Sequence, residues 1–353
     1  MKTPYKVPTL AEIDALPWNG LRVVSTFSGC GGSCLGFRMA GFRIVYASEF
    51  VEAARSAYRA NAPRTPLDDR DIRLVSVASM RAMMAAEDRD AEIDVLEGSP
   101  PCAAFSTAGK RERTWGRVRS YSDTTQRTDD LFAQYVRVLG ELQPRAFVLE
   151  NVSGLVKGVS RGVFKEVYAA LAAAGYRVGA RLLDAQWLGV PQTRQRVIVV
   201  GVRKDLNLEP AFPRPFGFRY TVREALAGLN GAGVAPPEDD GPSIDGYAIA
   251  REWDGLVPGA GSDRYFNLVR PHLDAPCPTI LALGGSNPGV ASVTHPTERR
   301  KFRIAELRRI CGFPDDFVLT GSYAQQWERL GRAVPPPMMA AVARALRARV
   351  FAC

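Results

Sequence analysis

Histidine is nearly absent from this chain, with two residues in 353. Cysteine is sparse too: six residues, at 30, 34, 102, 277, 311 and 353, with no Cys-x-x-Cys pair among them. The two shortages argue against a structural zinc site, which draws on clustered thiolates and imidazoles. A cytosolic chain of this size has no need of disulfides. No uninterrupted apolar run reaches the roughly 18 residues of a membrane-spanning helix. The N-terminal stretch MKTPYKVPTLAEIDALPW lacks the apolar centre of a secretory leader. No internal repeat is present. These absences lead to the expectation of a cytoplasmic, monomeric protein with no metal and no membrane partner.

Acidic residues are also in deficit. There are 46 Lys and Arg against 37 Asp and Glu, a net charge of +9. An excess of that sign suits a polyanion, most simply nucleic acid, although an Arg- and Ala-rich composition gives the same figure without any partner. Clustering says more than the total. Lys110, Arg111, Arg113, Arg117, Arg119 and Arg127 fall within one stretch that holds only Glu112 and Asp123 as acids. With 46% hydrophobic and 24% charged residues the chain reads as globular, with a large domain and a smaller one.

Apolar strand patterns at 21–27, 42–49, 93–98, 146–151, 176–185 and 196–203 alternate with helical ones at 51–60, 130–142 and 162–175. That alternation predicts an α/β fold with a parallel-rich sheet covered on both faces. Residues 205–298 turn Gly- and Pro-rich and lose the alternation, which predicts a small irregular domain. Helical patterning returns at 303–313 and 336–351. The expected division is therefore 1–204, 205–298 and 299–353, the last returning to the first domain. Residues 106–129 read as a long basic loop, either a lid or a plain surface segment.

Two stretches carry candidate chemistry. FSGCGGSCLGF (27–37) follows the first strand and opens a helix, and Gly29, Gly31 and Gly32 permit close backbone approach to a ligand. Glu49 ends the second strand 20 residues after Gly29 (49 − 29), where a ribose-binding carboxylate falls in nucleoside-binding α/β folds. Phe50 is placed to cover an adenine ring, and Asp71 and Ile72 to meet its edge. The glycine spacing does not match the dinucleotide pattern G-x-G-x-x-G, whereas S-adenosylmethionine, with no pyrophosphate, tolerates G-x-G-G. The second stretch is EGSPPCAAFS (97–106), where two prolines fix the backbone before Cys102. Cys102 there is either a small apolar side chain in a tight turn or a nucleophile at a strand end.

Together with ENV (150–152), QTRQR (192–196), RIAELRRICGFPDDF (303–317) and GRAVPPPMM (331–339), these stretches run in an order that resembles the DNA cytosine-5 methyltransferases. The resemblance spans most of the chain outside 205–298. It implies a Rossmann-like methyltransferase fold with a mixed, mostly parallel sheet and a small target-recognition domain at 205–298. It implies S-adenosyl-L-methionine as cofactor and double-stranded DNA as partner, with a restriction endonuclease as a further candidate partner. In this pattern Cys102 attacks C6 of a flipped cytosine, a protonated Glu150 bonds N3, and Arg194 and Arg196 hold O2 and a phosphate, from one face of a strand shared with Gln192. The cofactor set becomes Phe27, Ser28, Gly29, Gly31, Gly32, Glu49, Phe50, Asp71, Ile72, Pro101, Arg332, Ala333 and Val334. The DNA-binding set becomes Ser106, Lys110, Arg111, Arg113 and Gln192.

The chain departs from the pattern in places. Ser25-Thr26-Phe27 stands where Asp-Leu-Phe is usual, and Ala103 replaces a common Gln. The last motif, usually G-N-A/S-V-P, reads Gly331-Arg332-Ala333-Val334-Pro335. Arg332 either points away from the donor or pairs with an extra carboxylate on it; in the second case the donor is carboxy-S-adenosyl-L-methionine and the product 5-carboxymethylcytosine. Rival readings are a tRNA cytosine-5 methyltransferase, a non-catalytic DNA-binding homologue, and an NAD enzyme.

Overall fold

The structure, a computed structural model, describes residues 2–101, 119–121, 124–126, 130–156, 161–229 and 241–352. Strands β1 (Arg22–Thr26), β2 (Arg43–Ser48), β3 (Leu67–Asp68), β4 (Val95–Gly98), β7 (Ala146–Val152), β8 (Tyr176–Asp184) and β9 (Gln195–Arg203) form one sheet in the order β3-β2-β1-β4-β7-β9-β8. The ladders from β3 through β7 are parallel, and β7 and β9 are antiparallel. This is the mixed, mostly parallel sheet that the sequence predicts. Strands β5 (Arg119–Tyr121) and β6 (Thr124–Gln126) make a separate antiparallel hairpin inside the stretch read as a loop. Its strands are too short for periodicity to mark them.

The helices form because their apolar residues recur on one face. Leu131–Leu142 buries Leu131, Phe132, Tyr135, Val138, Leu139 and Leu142, a stripe of helical period. That stripe packs on Val24, Leu96, Phe147, Leu149, Val197 and Val199 of the sheet. Phe147 lies opposite Gly201 in the β7–β9 register, and a Cβ there would sit 1.9 Å from its ring. On the other face, the helix Gly32–Arg38 sets Phe37 edge-on to Phe42 at 5.3 Å, and Phe42 meets Phe351 at 6.4 Å.

Contacts divide the chain into two compact units. The sheet unit comprises Leu16–Leu183, Gln195–Arg214 and Met339–Cys353; the second comprises Met1–Ala15, Asp184–Arg194 and Pro215–Met338. These bounds differ from those drawn at 204 and 298. The N-terminal segment joins the second unit through Lys2–Glu224, Tyr5 on the Arg309 carbonyl and Leu10 on Asp316. The helices Ile304–Ile310 and Tyr323–Arg332 also belong to it. Such long-range ties leave no periodic trace in sequence. The second unit has a small core of Ile244, Ile249, Ala250, Trp253 and Leu268.

Candidate active site

Strand β1 runs into a turn whose backbone is left-handed at Phe27 (φ 54°), Gly29 (φ 58°) and Gly31 (φ 92°). A Cβ on Gly29 would meet nothing within 4 Å, so space lies open beside the turn, whereas one on Gly31 would come within 3.1 Å of the Tyr58 ring. Glu49, beyond the end of β2, braces the turn: its Oε2 accepts the Gly29 N–H at 2.8 Å and its Oε1 accepts the Val51 N–H at 2.7 Å. The Phe50 ring is 38% exposed and Ile72 is buried. Asp71 is turned onto Arg73, accepting its N–H at 3.0 Å and pairing with its guanidinium at 2.8 Å. An open space beside glycine, a carboxylate at the turn and an exposed aromatic ring fit a nucleoside-bearing cofactor.

The ends of β4 and β7 carry the second group. Asn151 donates from Nδ2 to the Pro100 carbonyl at 3.0 Å and so ties β7 to the chain two residues before Cys102. Sequence reasoning assigned Asn151 no role. Ser99 Oγ is buried without a hydrogen-bond partner among the described residues. Cys102, Ser106, Lys110, Arg111 and Arg113 lie outside the described residues. Glu150 Oε1 pairs with Arg196 Nε at 2.8 Å, and both side chains are largely buried. Burial lowers the Arg196 pKa, and the charge of Glu150 opposes that fall.

The strand register aligns a polar row. Ser25 of β1 lies opposite Glu97 of β4, which lies opposite Val148 of β7. Glu150 is two residues beyond Val148, and Arg196 of β9 lies opposite Val152. Side chains alternate along a strand, so Ser25, Glu97, Glu150 and Arg196 share one face. Sequence reasoning missed Glu97. The available signal was a carboxylate inside the apolar strand IDVLEG, just before the Pro-Pro-Cys motif.

The second unit holds the remaining candidates. Strand β9 begins at Gln195, so Gln192 and Arg194 precede it and do not share a strand face with Arg196, contrary to the reading from spacing. A parallel bridge pairs Gln192 with Cys277. Gln192 Nε2 reaches the Ile310 carbonyl at 3.4 Å and Cys311 Sγ at 3.3 Å. Arg194 is 1% exposed and donates to the carbonyls of Ile280 (3.2 Å), Gly331 (2.8 Å) and Ala333 (3.0 Å). It holds the 331–333 backbone in shape. Arg332 ends a helix and pairs through Nε with Glu328 at 2.7 Å, while Val334 is buried.

Comparison with solved structures places the fold among methyltransferases. A putative DNA modification methyltransferase encoded within an E. coli prophage superposes with a TM-score of 0.73 at 21% identity, covering 94% of this chain and all of that one. A mutant of Spodoptera frugiperda DNMT2 gives 0.66 at 17% identity, covering 93% and 99%. The fold is that of the S-adenosylmethionine-dependent methyltransferases. The profile of the C-5 cytosine-specific DNA methylases matches residues 21–228 and 263–348, and the chain belongs to that family of DNA cytosine-5 methyltransferases. Among curated relatives, the Type II methyltransferase M.NgoPII of Neisseria gonorrhoeae is 30% identical over 94% of this chain and 96% of its own length. M1.HphI of Haemophilus parahaemolyticus is 31% identical over 92% and 86%. No helix among the described residues is long and apolar enough to cross a membrane.

Proposed function

We propose that this chain transfers a methyl group from S-adenosyl-L-methionine to carbon 5 of a cytosine turned out of duplex DNA. The observation that carries the reading is the buried Glu150–Arg196 pair beside a strand end that Asn151 ties to the Pro-Pro-Cys motif. In a chain of this family, that pair supplies an acid and a cation beside the strand end that leads into the motif carrying the nucleophile.

Cytosine C5 is a poor nucleophile. The Cys102 thiolate forms a bond to C6, and the ring electrons move toward N3 and O2. Glu150, protonated for this step, donates to N3, and Arg196 faces the charge that gathers at O2. The donor, when bound, supplies an electrophilic carbon on a sulfonium. After C5 has taken that carbon, loss of the C5 proton to a base expels the thiolate and restores the aromatic ring. The Gly-rich turn, Glu49 and Phe50 hold the donor's nucleoside; Asp71, Ile72, Pro101, Ala333 and Val334 complete that set. Turning the base out of the stack costs a few kcal/mol, which contacts from the basic 106–129 stretch and the second unit offset. Ser106, Lys110, Arg111, Arg113 and Gln192 are the DNA contacts in this reading. Arg332 bears on the donor: its pairing with Glu328 supports the ordinary methyl donor over the carboxylated one.

The test is the mass of the nucleosides in duplex DNA after incubation with the purified protein and S-adenosyl-L-methionine. 5-Methylcytosine is expected, and none with Cys102→Ser. Duplex DNA carrying 5-fluorocytosine should trap a covalent adduct. Label entering tRNA and not duplex DNA overturns the reading. A parallel incubation with carboxy-S-adenosyl-L-methionine that yields 5-carboxymethylcytosine, lost in Arg332→Asn, would replace the methyl donor by the carboxylated one.

A further inference from the structure

Glu97 is a carboxyl sealed in the sheet, 1% exposed, on the strand that leads to Cys102. Among the described residues no cation pairs with it. Its hydrogen-bond partner there is a hydroxyl. Ser25 Oγ donates to Glu97 Oε2 at 2.6 Å, and Ser25 Oγ lies 2.8 Å from Ser28 Oγ, inside the Gly-rich turn. Ser33, on the first turn of the helix Gly32–Arg38, also favours its charged form. Ser25 stands where the family pattern has Asp, and β1 and β4 place Glu97 directly opposite it. The acid missing from β1 is thus present one strand away, connected by two serines to the turn that receives the donor.

A buried carboxylate without a cation is costly, and a ligand that brings positive charge removes that cost. We propose that Glu97 is the counter-charge for the sulfonium of the methyl donor, acting on the cofactor turn through Ser25 and Ser28. The inference rests on the methyl-donor reading above. Burial pushes the Glu97 carboxyl up to about 7; Ser25 and Ser33 oppose the rise and Glu150 adds to it. The other titratable groups that act on it are Cys34 and Tyr135, and Glu150, paired with Arg196; Tyr58 and Arg38 act in turn on Cys34. Burial raises Cys34 to about 12 and both tyrosines well above their ordinary value, so these three stay neutral at physiological pH. A cation binding near an ionised Glu97 holds it ionised, so affinity for the cation rises with pH through about 7. Affinity for a neutral analogue does not.

The experiment is calorimetric titration with S-adenosyl-L-methionine, a sulfonium, and S-adenosyl-L-homocysteine, its neutral thioether, across pH 6 to 8. Their shared nucleoside cancels in the ratio of the two affinities, and the same ratio measured in Glu97→Gln subtracts the effect of the sulfonium on the titration of the neighbouring amino group. In the wild-type protein the ratio should rise about tenfold over that range, one unit of linkage. In Glu97→Gln, nearly isosteric with the neutral acid, that tenfold rise should be missing. Returning the acid to β1 in the double variant Ser25→Asp, Glu97→Ser should restore the preference. A flat wild-type ratio overturns the proposal even if no variant folds, and so does a full pH-dependent preference in Glu97→Gln. If neither ligand binds the wild-type protein, the methyl-donor reading itself falls, and this inference with it.

Discussion

Burial makes the Glu150–Arg196 pair vulnerable to the loss of either member. Taking away Arg196 leaves a carboxylate in a largely dry site without compensation, a loss on the order of 3–5 kcal/mol for a buried pair. In the proposed reaction it also removes the cation at O2, and losing one such donor would slow turnover by roughly 10²–10³. Arg196→Met should therefore lower both the melting temperature and kcat. Arg196→Lys should recover part of the stability and less of the rate, because an ammonium lacks the guanidinium fork. The double variant Glu150→Gln, Arg196→Met separates the two effects. With the orphaned charge gone, thermal unfolding should return toward wild type while single-turnover rates stay low. Wild-type kcat in Arg196→Met would place that side chain outside the chemistry. Arg194 is a different case, since its guanidinium is spent on the carbonyls of residues 280, 331 and 333, and its loss should disturb that backbone first.

The turn between β1 and the helix Gly32–Arg38 offers a test at the scale of one element. Gly29 and Gly31 both have positive φ, so an alanine at either is strained by on the order of 1 kcal/mol. Only at Gly31 would the new methyl also press on Tyr58. Gly31→Ala should lower the melting temperature more than Gly29→Ala does. Gly29→Ala should weaken donor binding more than it destabilises the fold, because its methyl enters the open space assigned to the ligand. Equal donor affinity in Gly29→Ala and wild type, by calorimetry, would move the ligand elsewhere. This turn was legible in sequence for a physical reason: glycines, a preceding apolar strand and Glu49 at a fixed spacing are all local signals. The alternation that set the sheet's strands was legible on the same ground. The bond from Asn151 to Pro100 and the face shared by Ser25, Glu97, Glu150 and Arg196 were not, because they depend on which strands become neighbours. The start of β9 after Arg194 was hidden by the same cause: the bridge that holds Gln192 to Cys277 joins residues 85 apart in sequence (277 − 192). The helix Tyr323–Arg332 also escaped notice, although its capping box between Ser322 and Gln325 was there to be read.

Two properties belong to the molecule as a whole: its stability against pH and its charge. Glu97 holds its proton up to about 7 in the folded chain against an ordinary 4.5. Between those values the folded state binds more protons than the unfolded one, so this group's contribution to stability is full below 4.5 and is lost as pH rises through 7. Glu97→Gln should unfold with the wild type at low pH and at a higher temperature than wild type near pH 8. A melting-temperature difference that does not vary with pH would remove Glu97 from the account. The net charge of +9 makes the second prediction. If the six cations between 110 and 127 each neutralise a phosphate, duplex binding should weaken with salt at a log–log slope of about −5 from that cluster alone. Changing Lys110, Arg111 and Arg113 together to Gln should flatten the slope by about 2.7, the release of three counterions. The loss should be alike for every duplex sequence, since phosphate contacts position the protein without reading bases. An unchanged slope would show that this stretch does not lie against the DNA backbone. A loss confined to one sequence would instead make it a reader of base edges, the role that the family resemblance gives to residues 205–298.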